Sequence, residues 1–357
     1  MRYRGLFVLI AGAALGCDKP AEEAPVAETE APAVAPAPAG PDSQMAAVLQ
    51  ELTALGGKPT ETLTAAEARK QPTPTDAVKA LLTKQGKPTA PEPVAKVQDR
   101  TIPGPGGAIP VRIYTPAGTG PLPVVLYIHG GGWVIANLDV YDASARAVAN
   151  AAGAIVVSTH YRQGPEHKFP AAHDDVDAGY AWVLKNAATL NGNPAKVAVM
   201  GESAGGNLAI SVSRSARQKG LPMPVHQVLV YPIANYDVNT PSYQENAAAK
   251  PLNKPMMEWF FQNYLRSPAD GEDPRISPLR ATDLAGLPAT TIITAQIDPL
   301  RSESEELGRK LQAAGVSVEH THFDGVSHGF FGMGAVVDKA KEAVAKVGAR
   351  LKEAFSQ

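Results

Sequence analysis

Residues 196–212 read KVAVMGESAGGNLAISV. An apolar run from Lys196 to Met200 gives way to Gly201-Glu202-Ser203-Ala204-Gly205, and a helical pattern begins directly behind it. This is the strand, sharp turn and helix that a G-x-S-x-G nucleophile elbow requires. Small residues flank Ser203 because such a turn is strained and the chain passes close to itself. Taken alone the string is weak, since a serine that merely caps a glycine-rich helix entry would read the same way.

A second motif upstream changes that reading. The apolar run PVVLYI, 123–128, leads into His129-Gly130-Gly131-Gly132-Trp133, the type of glycine loop that supplies an oxyanion hole. Backbone N–H groups can meet a developing oxyanion at about 3 Å only where no side chain blocks the approach, which calls for consecutive glycines. Gly131 and Gly132 are the predicted donors, with the N–H of Ala204 as the third. A phosphate-binding reading is disfavoured because no Lys-Ser or Lys-Thr pair follows these glycines.

Downstream of the elbow the expected order is an acid just past a strand, then a histidine. Asp298 ends the run TTIITAQID and is the predicted acid; Asp237, Asp270, Asp273, Asp283 and Asp324 lie in loops, turns or an insertion. Of eight histidines only His320, His322 and His328 come after Asp298. His320 and His322 alternate along one strand and would share a face. His328 lies in the loop beyond it and is the predicted base. His160, His167, His173 and His226 are read as structural or surface residues.

Seven strand-like runs (VRIYTP, PVVLYIHG, AIVVSTHYR, KVAVMGES, HQVLVYP, TTIITAQID and VSVEHTHFD) alternate with helical patterns from about residue 99 to 357. That alternation predicts an α/β fold, a mostly parallel sheet with helices on both faces. Residues 236–273, containing PMMEWFFQNYL, interrupt it as a cap insertion. Within 44–98 two short helices are predicted, around Met45–Leu55 and Thr75–Thr83, packed on the main domain. Residues 18–43, nearly all Ala, Pro, Glu and Val, read as a disordered tether that could reach ~80 Å. Residues 1–17, MRYRGLFVLIAGAALGC, place Arg2 and Arg4 before an apolar run too short to span a bilayer, as a secretory signal does.

That segment ends in Ala14-Leu15-Gly16-Cys17 and resembles the bacterial lipobox, with Ala14 where Leu is usual. The resemblance implies lipidation at Cys17, a membrane anchor, and a place in the bacterial cell envelope facing outside the cytoplasm. Cys17 is the only cysteine, which excludes an intrachain disulfide and a cysteine metal site; no metal and no cofactor is expected. The 357 residues are 44% hydrophobic and 19% charged with net charge −2, which gives no electrostatic ground for a nucleic-acid partner.

Together HGGGW at His129, YRQGPE at Tyr161, GESAGGNL at Gly201, DPL at Asp298 and HGF at His328 resemble the hormone-sensitive-lipase-like branch of the α/β-hydrolase fold, across roughly 45–355. The resemblance implies hydrolysis of small carboxylic esters with short to medium acyl chains through an acyl-enzyme, with the N-terminal helices forming part of a cap. Glu202 and Gly164 depart from the usual Asp or Thr and Ala. Tyr161, Arg162, Pro165, Glu166, Asp174 and Asp175 are read as loop-positioning residues. Met256, Met257, Trp259, Phe260 and Phe261 either line an acyl pocket or fasten the insertion to the domain. A deacetylase of envelope sugars or lipids is the alternative reading. A receptor-type binder is disfavoured by the presence of His328, and a homo-oligomer is compatible with the sequence.

Overall fold

The computed structural model describes Gly12 and residues 40–357; the predicted signal segment, Cys17 and most of the predicted tether lie outside the described residues. Eight strands form one sheet: β1 Lys96–Gly104, β2 Gly107–Thr115, β3 Leu122–Ile128, β4 Ile155–Thr159, β5 Gly192–Glu202, β6 Gln227–Val230, β7 Thr290–Ile297 and β8 Val318–Ser327. Their spatial order is β1-β2-β4-β3-β5-β6-β7-β8. β1 and β2 form an antiparallel hairpin, β2 runs antiparallel to β4, and every pairing from β4 through β8 is parallel.

The helices are α1 Ser43–Ala54, α2 Ala65–Ala68, α3 Pro74–Lys84, α4 Asp142–Ala152, α5 Ala171–Asn186, α6 Ala204–Gln218, α7 Pro241–Glu245, α8 Lys254–Tyr264, α9 Arg301–Ala313 and α10 Asp338–Ser356. Strands buried on both faces read as unbroken apolar runs, and here alternate residues divide between two cores. Val124, Leu126 and Ile128 of β3 pack with α5, α6 and α8. Val125 and Tyr127 of the same strand pack with α1, α3, α4 and α10.

Three differences from the sequence reading concern the N-terminal segment. β1 begins at Lys96, within the segment assigned to cap helices, because its exposed, polar residues carry no strand-like apolar run. Ser43 already belongs to α1, and Asp42 caps it by accepting from the Met45 N–H and pairs with Lys339, so the folded chain starts before the assigned end of the tether. α1 and α3 join the layer of α4 and α10, while the chain between them, with a 3-10 turn at Thr60–Thr62 and α2, covers the cavity described next.

Candidate active site

Four loops leave the C-terminal ends of parallel strands on the same rim of the sheet. His129 follows β3, Ser203 follows β5, Asp298 follows β7 and His328 follows β8. The chain passes from β3 to β4 on one side and places β5 on the other. Such a reversal opens a crevice beyond the strand ends, where open α/β sheets bind ligands.

Ser203 stands between β5 and α6 at φ 58° and ψ −121°, a conformation that costs an L-residue roughly 1–3 kcal/mol. Its side chain makes no capping bond to α6. Instead Oγ lies 3.0 Å from His328 Nε2, and His328 Nδ1 lies 2.8 Å from Asp298 Oδ2. The other carboxylate oxygen, Oδ1, accepts from the Leu300 N–H at 2.8 Å, so both oxygens of Asp298 are aimed. All three residues are buried, Asp298 completely. The elbow glycines are required by close approach: a Cβ at Gly201 would lie 2.0 Å from the Gly205 carbonyl oxygen, and one at Gly205 would lie 2.0 Å from that of Ile128.

The glycine loop sits across from Ser203. A trans peptide points its N–H opposite to its C=O, so fixing a carbonyl fixes the following N–H. The Gly130 carbonyl accepts from His129 Nδ1 at 2.7 Å and from the Tyr161 hydroxyl at 3.1 Å, which sets the N–H of Gly131. The Gly131 carbonyl accepts from the N–H groups of Val134 and Ile135 at 3.0 and 2.9 Å, which sets the N–H of Gly132. Gly131, at φ 105°, and Gly132, at φ 57°, tolerate these turns as glycines. Ala204 is the first residue of α6, so its N–H has no partner within the helix. Burial lowers His129 to a pKa of about 3 and keeps it neutral; its Nδ1 bears the proton because a carbonyl only accepts.

A cavity of about 590 Å³ reaches Ser203 and His328 and passes Gly131 and Gly132. Its far walls come from 52–74 and from α8, which meet where Trp259 Nε1 donates to the Leu63 carbonyl at 3.0 Å. The five insertion side chains divide. Met256 and Phe260 line the cavity, whereas Met257, Trp259 and Phe261 are buried against the core.

Several residues of the YRQGPE block hold the loop. Arg162 pairs with buried Asp175 at 2.9 Å. Glu166 binds Arg69 through both oxygens, at 2.8 and 2.7 Å, and Arg69 also donates to the carbonyls of Val134 and Gly164 at 2.9 and 2.7 Å. Gln163 Nε2 donates to the Ile135 and Ala136 carbonyls at 2.8 and 3.0 Å. Sequence reasoning missed Arg69 and Gln163, because nothing local marks a residue whose partners lie tens of positions away. It also read His160 as a structural or surface residue. His160 lines the cavity and approaches His129 Nε2 at 2.9 Å; its position directly after a strand was the available signal. His320 and His322 do share a face, both reaching Thr294 Oγ1 at 2.8 and 3.0 Å.

Residues 125–332 match the family described as alpha/beta hydrolase fold. The chain is 42% identical to Carboxylesterase NlhH of Mycobacterium tuberculosis over 275 residues, covering 75% of this chain and 86% of that protein. It is 35% identical to the ethyl acetate hydrolase of Pseudomonas putida over 246 residues, 68% of this chain and 77% of that one. Among solved structures, the esterase of the archaeon Pyrobaculum calidifontis superimposes with a TM-score of 0.77 at 37% identity, over 85% of this chain and 97% of that chain.

Proposed function

Since the chain belongs to the hormone-sensitive-lipase-like, carboxylic-ester-hydrolysing branch of the α/β-hydrolase fold, we propose that Ser203, His328 and Asp298 perform that hydrolysis as nucleophile, base and acid. The observation that carries this assignment is the unbroken line from Ser203 Oγ through the His328 ring to Asp298, at 3.0 and 2.8 Å, on the floor of the cavity. His328 Nε2 takes the Ser203 proton as Oγ attacks the ester carbonyl. The oxyanion is met by the N–H groups of Gly131, Gly132 and Ala204. His328 then passes its proton to the departing alcohol, leaving an acyl-Ser203. Water, deprotonated by the same nitrogen, releases the acid. Asp298 holds the Nδ1–H tautomer and balances the imidazolium charge.

The cavity volume falls within the range of pockets that enclose small ligands, ~300–1,000 Å³, and Met256 and Phe260 give it an apolar wall. Both favour short to medium acyl chains. Hydrolysis of p-nitrophenyl esters from acetate to palmitate, by the chain from residue 40 onward and by its Ser203→Ala variant, tests this. Turnover that peaks at the shorter esters and disappears in the variant is expected; equal turnover in Ser203→Ala overturns the assignment.

The sequence from Arg2 to Cys17 supports a further reading, that the protein is lipidated on Cys17 and held at the envelope outside the cytoplasm. Cys17→Ser is then expected to move it from the membrane fraction to the soluble fraction. Unchanged membrane association refutes lipid anchoring.

A further inference from the structure

Directly before the nucleophile, the side chain of Glu202 is buried at 1% exposure, between β3, α4 and the turn after β6. Tyr127 donates its hydroxyl to Oε1 and Tyr231 donates to Oε2, and Ser144 of α4 is also in hydrogen-bonding reach. Hydroxyls that donate to both oxygens of a buried carboxyl favour its ionised form, which only accepts. The Tyr231 ring lies 4.5 Å, centroid to centroid, from the ring of His328. Glu202 is therefore one side chain removed from the imidazole that must become cationic during the reaction.

We propose that Glu202 is a second carboxylate supporting His328, a positioning residue that acts through Tyr231 to sustain the imidazolium formed when Ser203 attacks. The proposal rests on the triad assignment above. The groups around the carboxyl are Tyr127 from β3, Tyr141 and Ser144 from the start of α4, Tyr231 after β6 and His328 after β8. Burial is the largest influence and raises its pKa, while the hydrogen bonds from Tyr127, Tyr231 and Ser144 and the charge on His328 lower it. The net shift is upward, and the hydroxyl donors oppose the discharge that burial favours. In a water-poor setting such a charge acts on its neighbour with little screening.

The test is the pH dependence of kcat/KM with a short p-nitrophenyl ester, for the wild type, Glu202→Gln and Tyr127→Phe. Removing an anion beside an imidazole disfavours the imidazolium, so in Glu202→Gln the acid limb moves to lower pH, by about one unit. Plateau kcat falls about tenfold, the same unit expressed as a rate. Tyr127→Phe strips one donor from the carboxyl without touching His328 and moves the limb in the same direction by less. It also serves where the Gln variant folds poorly. An acid limb that stays in place in a folded variant, with turnover still abolished by Ser203→Ala, overturns the role of Glu202 while leaving the triad intact. Turnover surviving Ser203→Ala overturns the triad itself.

Discussion

Ser203 is held in its strained backbone by bonds from both sides: its N–H donates to the Val230 carbonyl at 2.9 Å, and its carbonyl accepts from Ile233 at 3.3 Å and Asn207 at 3.1 Å. The strain is tolerated only while Gly205 leaves room for the chain from β3. Gly205→Ala is expected to lower stability by more than the ~1–3 kcal/mol usual for overpacking, because the clash at 2.0 Å is with backbone rather than a movable side chain. Urea denaturation measures it. Asp298→Asn keeps the shape of the site and can still accept from Leu300, yet it favours the wrong imidazole tautomer. Turnover is expected to fall by ~10⁴ with an unchanged far-ultraviolet circular dichroism spectrum. Near-normal turnover would move the acid role elsewhere.

Among the elements, the oxyanion-side glycine loop is held in place by residues from distant segments that also line the cavity. Arg69, at the end of α2, ties the carbonyls of Val134 and Gly164 together, and Gly164 donates to the Trp133 carbonyl at 3.0 Å. The cover over the cavity and the glycine loop are thereby one hydrogen-bonded unit. Arg69→Gln is expected to reduce kcat about tenfold, less than the ~10²–10³ that follows loss of an oxyanion donor, with KM changing little. Steady-state kinetics separate this from a binding defect, which would raise KM alone. The Glu166 ion pair itself is partly exposed and is expected to contribute little to stability. What could be read in advance follows the same division. The strand runs, the elbow, the glycine loop and the order of acid and histidine are local patterns, and all four lead to the rim where the cavity opens. β1 was not legible because its side chains are mostly solvated and show no strand-like apolar run. The supports of the loop, Arg69 and Gln163, were not legible because their meaning arises only when distant segments meet. Of the five insertion side chains, the sequence could not say which faced the cavity: helical rotation divides Met256 and Phe260 from Met257 and Phe261.

Taken whole, the molecule holds some of its buried histidines well below their ordinary pKa. Burial lowers His173 and His226 to about 4, below the ~6.5 of an unfolded chain. Below pH ~6.5 the unfolded chain takes up protons that the folded chain refuses, so the stability from these groups is complete above that pH and is lost as pH falls toward 4. Glu303, buried and raised well above the usual carboxyl range, works with the opposite sign, its contribution falling as pH rises from the ordinary carboxyl range toward its raised folded value. A single variant isolates one share: His226→Gln is expected to flatten the dependence of unfolding free energy on pH by about 1.4 kcal/mol per pH unit between pH 6 and about 4. Denaturation curves at several pH values test it, and an unchanged slope would show that His226 protonates freely in the fold. The whole-chain reading of a tether joined to a catalytic domain misjudged the junction because Asp42 and Ser43 are polar and resemble what precedes them, although Asp42 is bound to Lys339 and Gly325.

That junction also has a mechanical side. The Asp42 N–H donates to the Gly325 carbonyl at 2.8 Å, the Gly325 N–H donates to Gln296 Oε1 at 2.6 Å, and Gln296 and Gly325 stand two and three residues from Asp298 and His328. Force applied to the front of the folded chain is therefore delivered first to the strand ends that carry Asp298 and His328. A bead or surface attached at residue 40 would load that clasp directly, whereas attachment at Gln357 would load the far end of α10.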